Sequence, residues 1–518
     1  MQGPQPRISG TRDYAGEEAV ALQVARDAIE ATLRLYAYAA IDPPILESSS
    51  PFLNRSGEDI RRHMYIFPDP GGREVCLRPE LTIPVCRAYL RQMQAAEAGR
   101  SAAEREARLC YFGPAFRYEA ATDGRYRQFY QAGAELIGAR DREAADAEIL
   151  AVALDALEAA GVSETAIEIG DVDIRNAFID QLPVSERTKT RIRRIALRNQ
   201  SRLVAALTDP ARAGAVDTNE FSELASMLAS VEPAKAELLI REVFALADVR
   251  HVGERTPEEI VERLTSRTMQ QAAEPISAEL IDGVKALLNI RGKQASAFKA
   301  IRDHFRAFGI PSIEPVLERS DTRLRYFNAY GRDPAAVEFN VGLMRGLEYY
   351  TGFLFEIYAK GQTKIGHVCG GGRYDNLLEG LGADTSIPAV GFGIGLDRLL
   401  LVLQNKEAHA ADERRAPDAL VVVAGKTRYE DCIRVGVALR QAGWSVEIDS
   451  SSRDERSALN HAASRNIAHV VFVDEAALKK DEVRVRRLDQ RTDRSMALKS
   501  LMSYAKGEGA APPAGRRS

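Results

Sequence analysis

The sequence predicts an α/β protein: an α+β domain, with an antiparallel sheet flanked by helices, carries a helical insertion and is followed by a small α/β domain. Two strand-like runs flank the turn residues "ATDG" at 121–124 and predict an antiparallel hairpin. From about 180 to 310 the sequence is polar and helical in pattern, which predicts the insertion. Beyond residue 416, strand and helix patterns alternate, as is typical of a small α/β domain.

The composition is that of an ordinary globular chain. Its 518 residues are 45% hydrophobic, and this length predicts about three domains. The five cysteines are widely spaced without a C-x-x-C pair, so we expect neither a disulfide framework nor a zinc site. With no apolar leader and no run of about 18 apolar residues, we expect a cytoplasmic protein without a membrane partner. The formal net charge of −4 argues against indiscriminate nucleic-acid binding.

The first part of the chain alternates predicted helices and short strands. Residues 17–39 carry apolar residues at three- and four-residue spacing and predict an amphipathic helix. Pro43 and Pro44 end that pattern, and residues 64–85 predict two short strands around a Pro-Gly-Gly turn. An Ala- and Leu-rich helix over 143–161 precedes a predicted strand at "AIEIGDV".

The later part of the chain predicts the remaining units. Strand-like sequence returns at 336–359, and a predicted helix at 394–404 is followed by a charged linker at 405–417. The final "GEGAAPPAGRRS" predicts disorder. The predicted units are a catalytic domain in two segments, 1–179 and 311–405, an insertion at 180–310, an α/β domain at 416–505 and a tail at 506–518.

The stretch "FRYEAATDGRYRQFYQAGAE", residues 116–135, concentrates arginines and aromatic residues in a chain of slightly negative charge. Period-2 alternation on the second predicted strand places one set of residues on a common face: Arg125, Arg127, Phe129, Gln131, Gly133 and Glu135. Arginine suits phosphate, an aromatic ring can stack on a base, and Gln with Glu can hold an ammonium group. This face predicts a site for an extended ligand with an anionic head and a cationic tail; a solvated edge strand is the alternative.

Two further segments carry candidate binding residues. "CLRPELT" places Glu80 and Thr82 at a strand exit, where ordinary loop polarity is the alternative to cation binding. "LMRGLEYYTGFLFE" puts Arg345 beside Tyr349 and Tyr350 within an apolar strand, where a buried arginine needs an anionic partner. A structural ion pair with Glu348 is the alternative there.

These segments occur in an order that resembles histidyl-tRNA synthetase, a class II aminoacyl-tRNA synthetase. The stretch 116–135 looks like motif 2, "RGLEYYTG" and "GGGRYDNL" look like the two histidine-specific signatures, and "PAVGFGIGLDRLLL" looks like motif 3. "YAAIDPPIL", with Pro44, resembles motif 1 at the dimer interface, and "SGTRDY" resembles the family's opening. The resemblance covers most of the chain and implies a class II synthetase-type sheet, an anticodon-binding-like carboxy-terminal domain and a cytoplasmic homodimer.

The resemblance implies a role for each matching residue. Arg117 would bind the α-phosphate of ATP and the histidine carboxylate, Glu119 would lie near the adenine, and Arg345 would act with Arg117 in catalysis. The implied ATP-binding residues are Arg117, Glu119, Arg125, Phe129 and Arg398. The implied histidine-binding residues are Glu80, Thr82, Arg117, Gln131, Glu135, Arg345, Tyr349 and Tyr350. No protein metal ligand or tightly bound cofactor is implied, because Mg²⁺ would arrive with ATP as a substrate complex.

The implied activity is that of a histidine–tRNA ligase. The carboxylate of L-histidine attacks the α-phosphorus of ATP, and positioned arginines with Mg²⁺ stabilise the charge that builds there. No protein nucleophile is needed for this chemistry. The 3′-terminal ribose hydroxyl of tRNA(His) then takes the histidyl group from the adenylate.

A paralogue gives the alternative function, a histidine-sensing regulatory subunit that assembles with the catalytic subunit of ATP phosphoribosyltransferase. "FLNRSGEDIRRHMYIF", "LRPELTIPVCRAYL" and "GERTPEEIVERL" look more like that paralogue. The regulatory subunit typically loses the motif 2 arginines, replaces the small glycine of motif 3 and lacks the carboxy-terminal domain. This chain keeps Arg125, Arg127, Gly395 and residues 416–505, which favours the synthetase.

Two basic stretches are candidate tRNA contacts through phosphate pairing. "ERTKTRIRRIALRNQSR" would meet the acceptor stem and "VRVRRLDQRTDR" the anticodon stem-loop, with solvated faces as the alternative. A nucleic-acid-binding module without catalysis would rest on these stretches alone. Within the second stretch, Arg484 and Arg486 are expected to face RNA while Val483 and Val485 pack inward.

Overall fold

The computed structural model of the protein describes residues 7–55, 63–96, 106–119, 122, 124–196, 235, 238, 242, 277–310, 313–345, 349–404, 416–425, 429–451, 454–480, 482–489, 492–497, 500, 501 and 503. Tertiary contacts divide the chain into two units, Met1–Glu407 and Ala408–Ser518. Most of the predicted insertion, the linker and the tail therefore lie outside the described residues. In the described part of the chain, no helix is long and apolar enough to cross a membrane.

The first unit combines helices with short and long strands. Its strands are β1 (Ala39–Ala40), β2 (Leu46–Ser48), β3 (Tyr65–Pro68), β4 (Glu74–Leu77), β5 (Ala107–Phe116), β6 (Gln128–Ile137), β7 (Thr165–Asp171), β8 (Arg291–Gly292), β9 (Val337–Asn340), β10 (Phe353–Ala359), β11 (His367–Arg373) and β12 (Ala389–Gly395). Its helices are α1 (Glu17–Leu35), α2 (Ser50–Arg55), α3 (Thr82–Ala96), α4 (Arg142–Ala159), α5 (Val172–Asp180), α6 (Glu186–Ala196), α7 (Ala278–Leu288), α8 (Gln294–Ala307), α9 (Glu314–Ala329), α10 (Leu377–Gly380) and α11 (Leu396–Gln404).

A nine-stranded sheet runs through the first unit in the order β1-β5-β6-β12-β11-β10-β7-β9-β8. Neighbouring strands are antiparallel except for β1 with β5 and β7 with β9. A separate three-stranded sheet has the order β2-β4-β3. The predicted antiparallel sheet flanked by helices is confirmed, and the predicted hairpin corresponds to β5 and β6, which pair along their whole lengths.

Helix α4 covers one face of the central strands. It begins where the Asp141 side chain accepts the backbone N–H of Ala144, and its alanine- and leucine-rich sequence is buried on nearly every side. A helix that is apolar all round needs partners on every face, and α4 contacts β6, β11, β12, α1 and α9. Ala134 and Phe392 point toward it in the main core, so the opposite face of these strands is left for a binding site.

A buried ionic network ties α4 to the end of β11. Asp146 of α4 accepts hydrogen bonds from Arg323 of α9 and from Arg373 of β11, each at 2.9 Å. Arg373 also donates to Asp375 at 2.9 Å. These charged side chains are almost fully buried and pair with one another. Their pairing fixes the end of β11, and Tyr374 is the next residue in the chain.

Three predicted element boundaries are wrong. The first helix ends at Leu35, because Ala37 takes a positive φ of 61°. The segment containing Arg345 is not within a strand, since β9 ends at Asn340, whose carbonyl and side chain accept N–H groups of a turn. Strand β6 begins only at Gln128, because residues 122 and 125 pair across the turn instead.

The described end of the predicted insertion packs into the core of the first unit. Ile281 and Val284 of α7 and Phe298 of α8 are buried in the same cluster as the sheet residues Phe339 and Phe355. Phe298 packs edge-on against Phe339, with ring centroids 5.3 Å apart. Residues 278–307 therefore contribute to the core that supports the sheet.

The second unit is a small α/β domain, as the alternating pattern predicts. Its strands are β13 (Ala419–Ala424), β14 (Val446–Ile448), β15 (His469–Asp474), β16 (Glu482–Arg487) and β17 (Thr492–Ala497), and its helices are α12 (Tyr429–Gln441), α13 (Glu455–Ser464) and α14 (Glu475–Leu478). The sheet has the order β14-β13-β15-β16-β17, with β13 parallel to both of its neighbours and the β16 pairings antiparallel. Val483 and Val485 are buried, as expected.

Arg484 and Arg486 of β16, which are expected to face RNA, pair with carboxylates within the second unit. Arg484 donates to both carboxylate oxygens of Glu455, at 3.0 and 2.7 Å, and lies 4.2 Å from the centroid of the Phe472 ring. Arg486 lies 3.6 Å from the carboxylate of Asp493. The start of α13 and the strand β17 supply these carboxylates, so the arginines are neutralised within the domain.

Candidate functional site

A row of glycine residues in the nine-stranded sheet forms the floor of a cavity of about 440 Å³ in the first unit. Alternate residues of β6, β11 and β12 point to this face, where the glycines are Gly133, Gly370, Gly372, Gly391, Gly393 and Gly395, and all of them except Gly133 and Gly372 line the cavity. Gly133, Gly393 and Gly370 are direct cross-strand neighbours. Because no Cβ projects from this row, a ligand or a neighbouring side chain can lie on the backbone itself.

Two of these glycines already carry a functional side chain above them. A Cβ at Gly370 would lie 1.3 Å from Nη1 of Arg345, and a Cβ at Gly391 would lie 1.6 Å from Oε2 of Glu135. Both distances are far shorter than any real contact. The glycine-rich runs noted in the sequence are therefore required to hold Arg345 and Glu135 against the floor.

The cavity brings together residues that lie far apart in the sequence. All but one of the predicted site residues line it: Glu80, Thr82, Arg117, Glu119, Arg125, Phe129, Gln131, Arg345, Tyr349, Tyr350 and Arg398. Glu135 is fully buried, and Tyr374, which does line the cavity, donates a hydrogen bond to it. The roles of these residues remain predictions, but their common location is a finding.

One end of the cavity is aromatic and holds buried polar groups. The rings of Tyr349 and Tyr350 lie 4.9 Å apart between centroids, and Tyr349 packs edge-on against Tyr374 at 5.7 Å. Burial raises the pKa of Glu135 to about 8, because little water solvates its charge, although the hydrogen bond from Tyr374 acts in the opposite direction. A cationic ligand beside Glu135 would favour the charged form of this carboxyl group.

Three buried atoms at the site have no hydrogen-bond partner among the residues that the structure describes: Gln131 Oε1, Glu135 Oε1 and Arg345 Nε. A buried polar atom without a partner costs about 1–3 kcal/mol. The first two atoms accept hydrogen bonds and the third donates one. They match a ligand that carries N–H donors beside a carboxylate or phosphate oxygen.

Glu80 has a second, structural role at the start of α3. Its two carboxylate oxygens accept the backbone N–H groups of Thr82, at 2.7 Å, and Ile83, at 2.9 Å. Glu80 is 3% exposed, and burial raises its pKa. The carboxylate therefore caps the helix, and each oxygen retains a lone pair for a ligand.

The other end of the cavity is strongly positive. Nη1 of Arg398 donates to the carbonyl of His367 at 2.9 Å, and Nε of Arg117 donates to the carbonyl of Pro79 at 2.8 Å. Burial, and after it the charge of Arg125, lower the pKa of Arg398. These guanidinium groups repel one another, so an anion bound among them would be stabilised.

The aromatic ring of Phe129 lies within this positive end. The guanidinium of Arg117 is 5.4 Å from its ring centroid. Arg127, predicted to share a face with Arg125, does not line the cavity: its backbone N–H donates to Gly10 at 2.6 Å and its guanidinium covers Tyr118 at 4.2 Å. That prediction is wrong because strand alternation begins only after Arg127.

Arg345 is buried on the floor of the cavity. Its Nη1 donates to the carbonyl of Phe355 at 3.2 Å and lies 3.6 Å from the Glu356 carboxylate. Glu348, the ion-pair partner considered in the sequence, lies outside the described residues. Glu356 is therefore an anionic neighbour of Arg345, at a distance that leaves the guanidinium open to a ligand.

Several residues that line the cavity carried no assignment from the sequence. Tyr374 stood within the recognised "GGGRYDNL" run, which is the signal that could have found it. Glu356 and His367 had no such signal, because only the pairing of β10 with β11 brings them together. The distance between His367 Nδ1 and Glu356 Oε1 is 3.3 Å.

An amino-terminal strap, residues 8–18, crosses the positive end. Tyr14 donates a hydrogen bond to Asp397, whose second oxygen accepts the backbone N–H of Tyr130 at 2.9 Å. The guanidinium of Arg12 lies 4.7 Å from the Tyr14 ring centroid and 5.2 Å from that of Tyr126. The strap thus contacts Tyr126 and Asp397, which are the sequence neighbours of Arg125 and Arg398.

The site suits a reaction in which negative charge develops beside fixed cations. The arginines are held by backbone carbonyls and carboxylates, so little reorganisation is needed when charge appears. In the described part of the chain, no group of three or more His, Cys, Asp or Glu side chains lies close enough to hold a metal ion. Guanidinium groups are the cations that these residues supply.

Two family models match the chain. The model described as Histidyl-tRNA synthetase matches residues 10–256 and 238–399, and the Anticodon binding domain model matches residues 418–508. The histidine–tRNA ligase of Methanocaldococcus jannaschii is 30% identical over 495 residues, covering 96% of this chain and 98% of that protein. The histidine–tRNA ligase of Pyrococcus furiosus is 27% identical over 501 residues, with coverages of 96% and 98%.

Solved structures share the fold. A histidyl-tRNA synthetase from Nostoc sp. PCC 7120 superposes with a TM-score of 0.63 at 17% identity, covering 98% of this chain and all of that chain. A Bacillus halodurans protein described as an ATP phosphoribosyltransferase regulatory subunit/histidyl-tRNA synthetase gives a TM-score of 0.60 at 21% identity, covering 92% of this chain and all of that chain. At these identities the likeness shows the fold alone.

Proposed function

The chain belongs to the histidyl-tRNA synthetase family, enzymes that activate L-histidine with ATP and transfer it to tRNA(His), and we propose that the glycine-floored cavity carries out both steps. The observation that carries this proposal is the pairing of two features in one cavity. Acceptors on Gln131 and Glu135 that have no partner among the described residues lie at one end, and the cluster of Arg117, Arg125 and Arg398 lies at the other.

Histidine recognition would use the aromatic end. The ammonium group would be held by Gln131, Glu135 and the free lone pairs of Glu80, with Thr82 beside them. Tyr349 and Tyr350 would line the imidazole. Such a site rejects amino acids of similar size that cannot form these hydrogen bonds. Binding one of them would leave buried polar groups of the protein unpaired.

Activation would take place over Arg345. A carboxylate oxygen of histidine bonds to the α-phosphorus of ATP, the bond from that phosphorus to the bridging oxygen breaks, and pyrophosphate leaves. Arg117 and Arg345 would stabilise the charge on the α-phosphate, while Arg125 and Arg398 would hold the other phosphates. Phe129 would stack on the adenine, with Glu119 near it, and Mg²⁺ would arrive with ATP on phosphate oxygens.

Transfer would require the second unit for tRNA binding. The terminal ribose hydroxyl of tRNA(His) attacks the carbonyl carbon of the adenylate, and AMP leaves. Residues 418–508 match an anticodon-binding domain, which supports the assignment of this unit to the tRNA. We propose the boundaries expected from the sequence, a catalytic domain at 1–179 and 311–405 around an insertion at 180–310, with residues 278–307 of the insertion packed into the catalytic core.

The regulatory subunit is the competing function for the same pocket. The relatives named histidine–tRNA ligase cover nearly the whole chain, and the presence of an anticodon-binding domain match favours the ligase. Both functions need a histidine pocket, so histidine binding alone does not discriminate between them. Formation of the histidyl-adenylate does discriminate between the two functions.

Histidine-dependent ATP–pyrophosphate exchange by the purified protein tests the proposal. We expect exchange in the wild type and a loss of about 100-fold or more in turnover for Arg345→Ala, with a smaller change in histidine binding. Arg302→Ala, which removes an exposed ion pair with Glu314 at 2.7 Å, is the matched control and should exchange normally.

Two outcomes would contradict this assignment. Tight histidine binding without exchange, together with capture of a short-form ATP phosphoribosyltransferase catalytic chain, would establish the regulatory function. An Arg345→Ala protein with unchanged specific activity but a large loss of unfolding free energy would make Arg345 a structural partner of Glu356.

We also propose a cytoplasmic homodimer. Ile45, Leu46 and Phe67 are exposed on the small sheet that follows Pro44, although large apolar side chains normally avoid water. A second copy of the chain would bury them. Light scattering of Leu46→Arg should then show a smaller particle than the wild type.

A further inference from the structure

His367 lies where the two halves of the proposed ATP site meet. Its Nδ1 is 3.3 Å from Oε1 of Glu356, the same oxygen that lies 3.6 Å from Arg345. Its backbone carbonyl accepts a hydrogen bond from Arg398 at 2.9 Å. The imidazole therefore lines the cavity between the arginine proposed for the α-phosphate and one proposed for the distal phosphates.

Glu356 orients the imidazole. Its second oxygen accepts a hydrogen bond from the Tyr358 hydroxyl at 2.5 Å, which fixes the carboxylate on strand β10. Nδ1 of His367 lies toward this carboxylate, which favours the ring form that carries its proton on Nδ1. Nε2 is then the nitrogen left for a ligand, as an acceptor in the neutral ring and as a donor in the imidazolium.

The charges around His367 are unbalanced without a ligand. Arg345, Arg398, Arg125 and Arg117 all disfavour the imidazolium, and the Glu356 carboxylate lies 3.3 Å from Nδ1. Burial, and then these four guanidinium groups, lower the pKa of His367 well below its ordinary value. The Tyr358 ring packs edge-on at 6.2 Å and adds no charge.

We propose that His367, held by Glu356, is a further ATP-contacting residue that takes up a proton when ATP binds and donates a hydrogen bond from Nε2 to the phosphate chain. This inference rests on the proposed function, since it requires the arginine cluster to bind a triphosphate. The triphosphate neutralises the four guanidinium groups and adds negative charge beside the ring. The imidazolium, which the surrounding guanidinium groups disfavour, then becomes a charge-assisted donor.

The direction of the pH dependence follows from linkage. ATP raises the pKa of His367, so the complex holds more protons than the free protein between the two pKa values. ATP affinity therefore increases as pH falls through this window, which extends upward from the low pKa of the free protein. A histidine too far from the bound phosphates to be affected by their charge would give no such coupling.

Calorimetric titration of MgATP into the full chain at pH 6.5, in buffers of different ionisation heats, counts the protons. We expect the wild type to take up about 0.3 to 1 proton more than His367→Gln, which keeps the side chain's size but cannot titrate. Protons exchanged by ATP itself cancel in this difference. In the wild type alone, the dissociation constant of ATP should decrease as the pH is lowered from 8 to about 6.

His461→Gln is the matched control. His461 also pairs with a glutamate, with Nε2 2.9 Å from Glu447, but it lies in the second unit and lines no part of the cavity. This variant should give the wild-type proton count. Equal counts for the wild type and His367→Gln would overturn the role of His367, as would an ATP affinity in the wild type that does not change with pH.

The exchange assay on the same preparations separates the two proposals. A wild-type protein that takes up the extra proton with ATP but shows no histidine-dependent exchange would retain His367 as an ATP contact and remove the synthetase assignment. A protein that exchanges normally, with identical proton counts in both forms, would retain the synthetase and remove the role of His367.

Discussion

Glu135 and Arg345 are ionisable groups that little water reaches, and the Glu135 pKa of about 8 makes its carboxyl group mostly neutral at pH 7 in the free protein. Each lies against a glycine that no other residue could replace, and each has one atom without a partner among the described residues. Such groups reduce the stability of the free protein, since desolvation is not offset. A ligand that completes the hydrogen bonds recovers this free energy as affinity, which is how a site gains selectivity for one amino acid.

The first prediction concerns the stability of Glu135→Gln as a function of pH. The pKa of Glu135 is about 8 in the folded protein against an ordinary value of 4.5, so the native state binds more protons than the unfolded state in this window. The free energy of unfolding of the ligand-free wild type should therefore decrease as pH rises from 4.5 toward 8. Glu135→Gln removes the carboxyl group and should lessen this decrease.

Denaturant unfolding at pH 5, 6.5 and 8 provides the measurement. The variant should gain stability relative to the wild type as the pH increases. Glu318→Gln, which changes an exposed glutamate of α9, is the control. The pH dependence of its unfolding free energy should be the same as that of the wild type. Parallel curves for Glu135→Gln as well would mean that Glu135 is solvated and charged in the free protein.

At the scale of elements, we expect the amino-terminal strap to position the arginines proposed for ATP without itself contacting ATP. Tyr14→Phe removes the hydrogen bond to Asp397, the residue directly before Arg398. We expect the KM for ATP in the exchange reaction to rise by about 3- to 10-fold, since one buried charge-assisted hydrogen bond is lost. The KM for histidine should stay the same, because the strap lies at the opposite end of the cavity.

Tyr36→Phe is the control for this prediction. Tyr36 donates to Asp155 at 2.6 Å in a pair of the same chemistry that does not line the cavity. It should leave both KM values unchanged. Equal increases in the two KM values for Tyr14→Phe would indicate general loosening of the fold and would contradict a positioning role.

The sheet floor gives a second prediction at this scale. An alanine Cβ at Gly395 would meet no atom closer than 4.0 Å, so Gly395→Ala should fold with an unfolding free energy within about 1 kcal/mol of the wild type. Its methyl group would enter the space proposed for ATP, and we expect the KM for ATP to rise about 10-fold or more. Gly370→Ala should instead lower turnover as Arg345→Ala does, because its Cβ would displace the guanidinium.

Exchange kinetics and denaturant unfolding of both variants test this contrast. Normal turnover in Gly370→Ala would show that Arg345 can act from another position. A normal KM for ATP in Gly395→Ala would place the nucleotide away from this part of the floor.

Local patterns predicted the elements whose structure depends on local forces. The hairpin of β5 and β6 and helix α4 follow from turn chemistry and from an apolar periodicity that the chain carries within each segment. The order of the signature segments indicated the residues that meet in the cavity. The contact of His367 with Glu356 depends on strand register, which no local pattern specifies, and it could not be predicted.

The same dependence on strand pairing explains why the predicted strand alternation over Arg125 and Arg127 is wrong. A run of alternating residues predicts a strand only where a partner strand continues. Here the chain closes its turn between Thr122 and Arg125, so the two arginines leave the sheet in different directions. The turn directs Arg125 to the cavity and Arg127 to Tyr118.

At the scale of the whole molecule, the two units should separate in function. A chain ending at Asn405 retains every residue of the cavity and nearly all of the first unit. We expect it to keep histidine-dependent exchange while binding tRNA(His) more weakly and charging it poorly. Exchange and aminoacylation assays on the full and shortened chains measure this, with light scattering to compare their association states.

Undiminished aminoacylation by the shortened chain would remove the anticodon-binding assignment from the second unit. Loss of exchange in a shortened chain that remains folded, by circular dichroism, would show that the first unit depends on the second for catalysis. The predicted result is that adenylation survives and transfer does not.

The internal pairing of Arg484 and Arg486 in the second unit has a consequence for the thermodynamics of tRNA binding. An arginine that meets a phosphate releases condensed counterions from the nucleic acid, and that release is why such binding weakens with salt. Arg484 already shares its charge with Glu455, so a phosphate that approaches it also meets the negative charge of that carboxylate. Little net charge is exchanged, so few ions are released on this face of β16, and its contribution to tRNA affinity should change little with ionic strength.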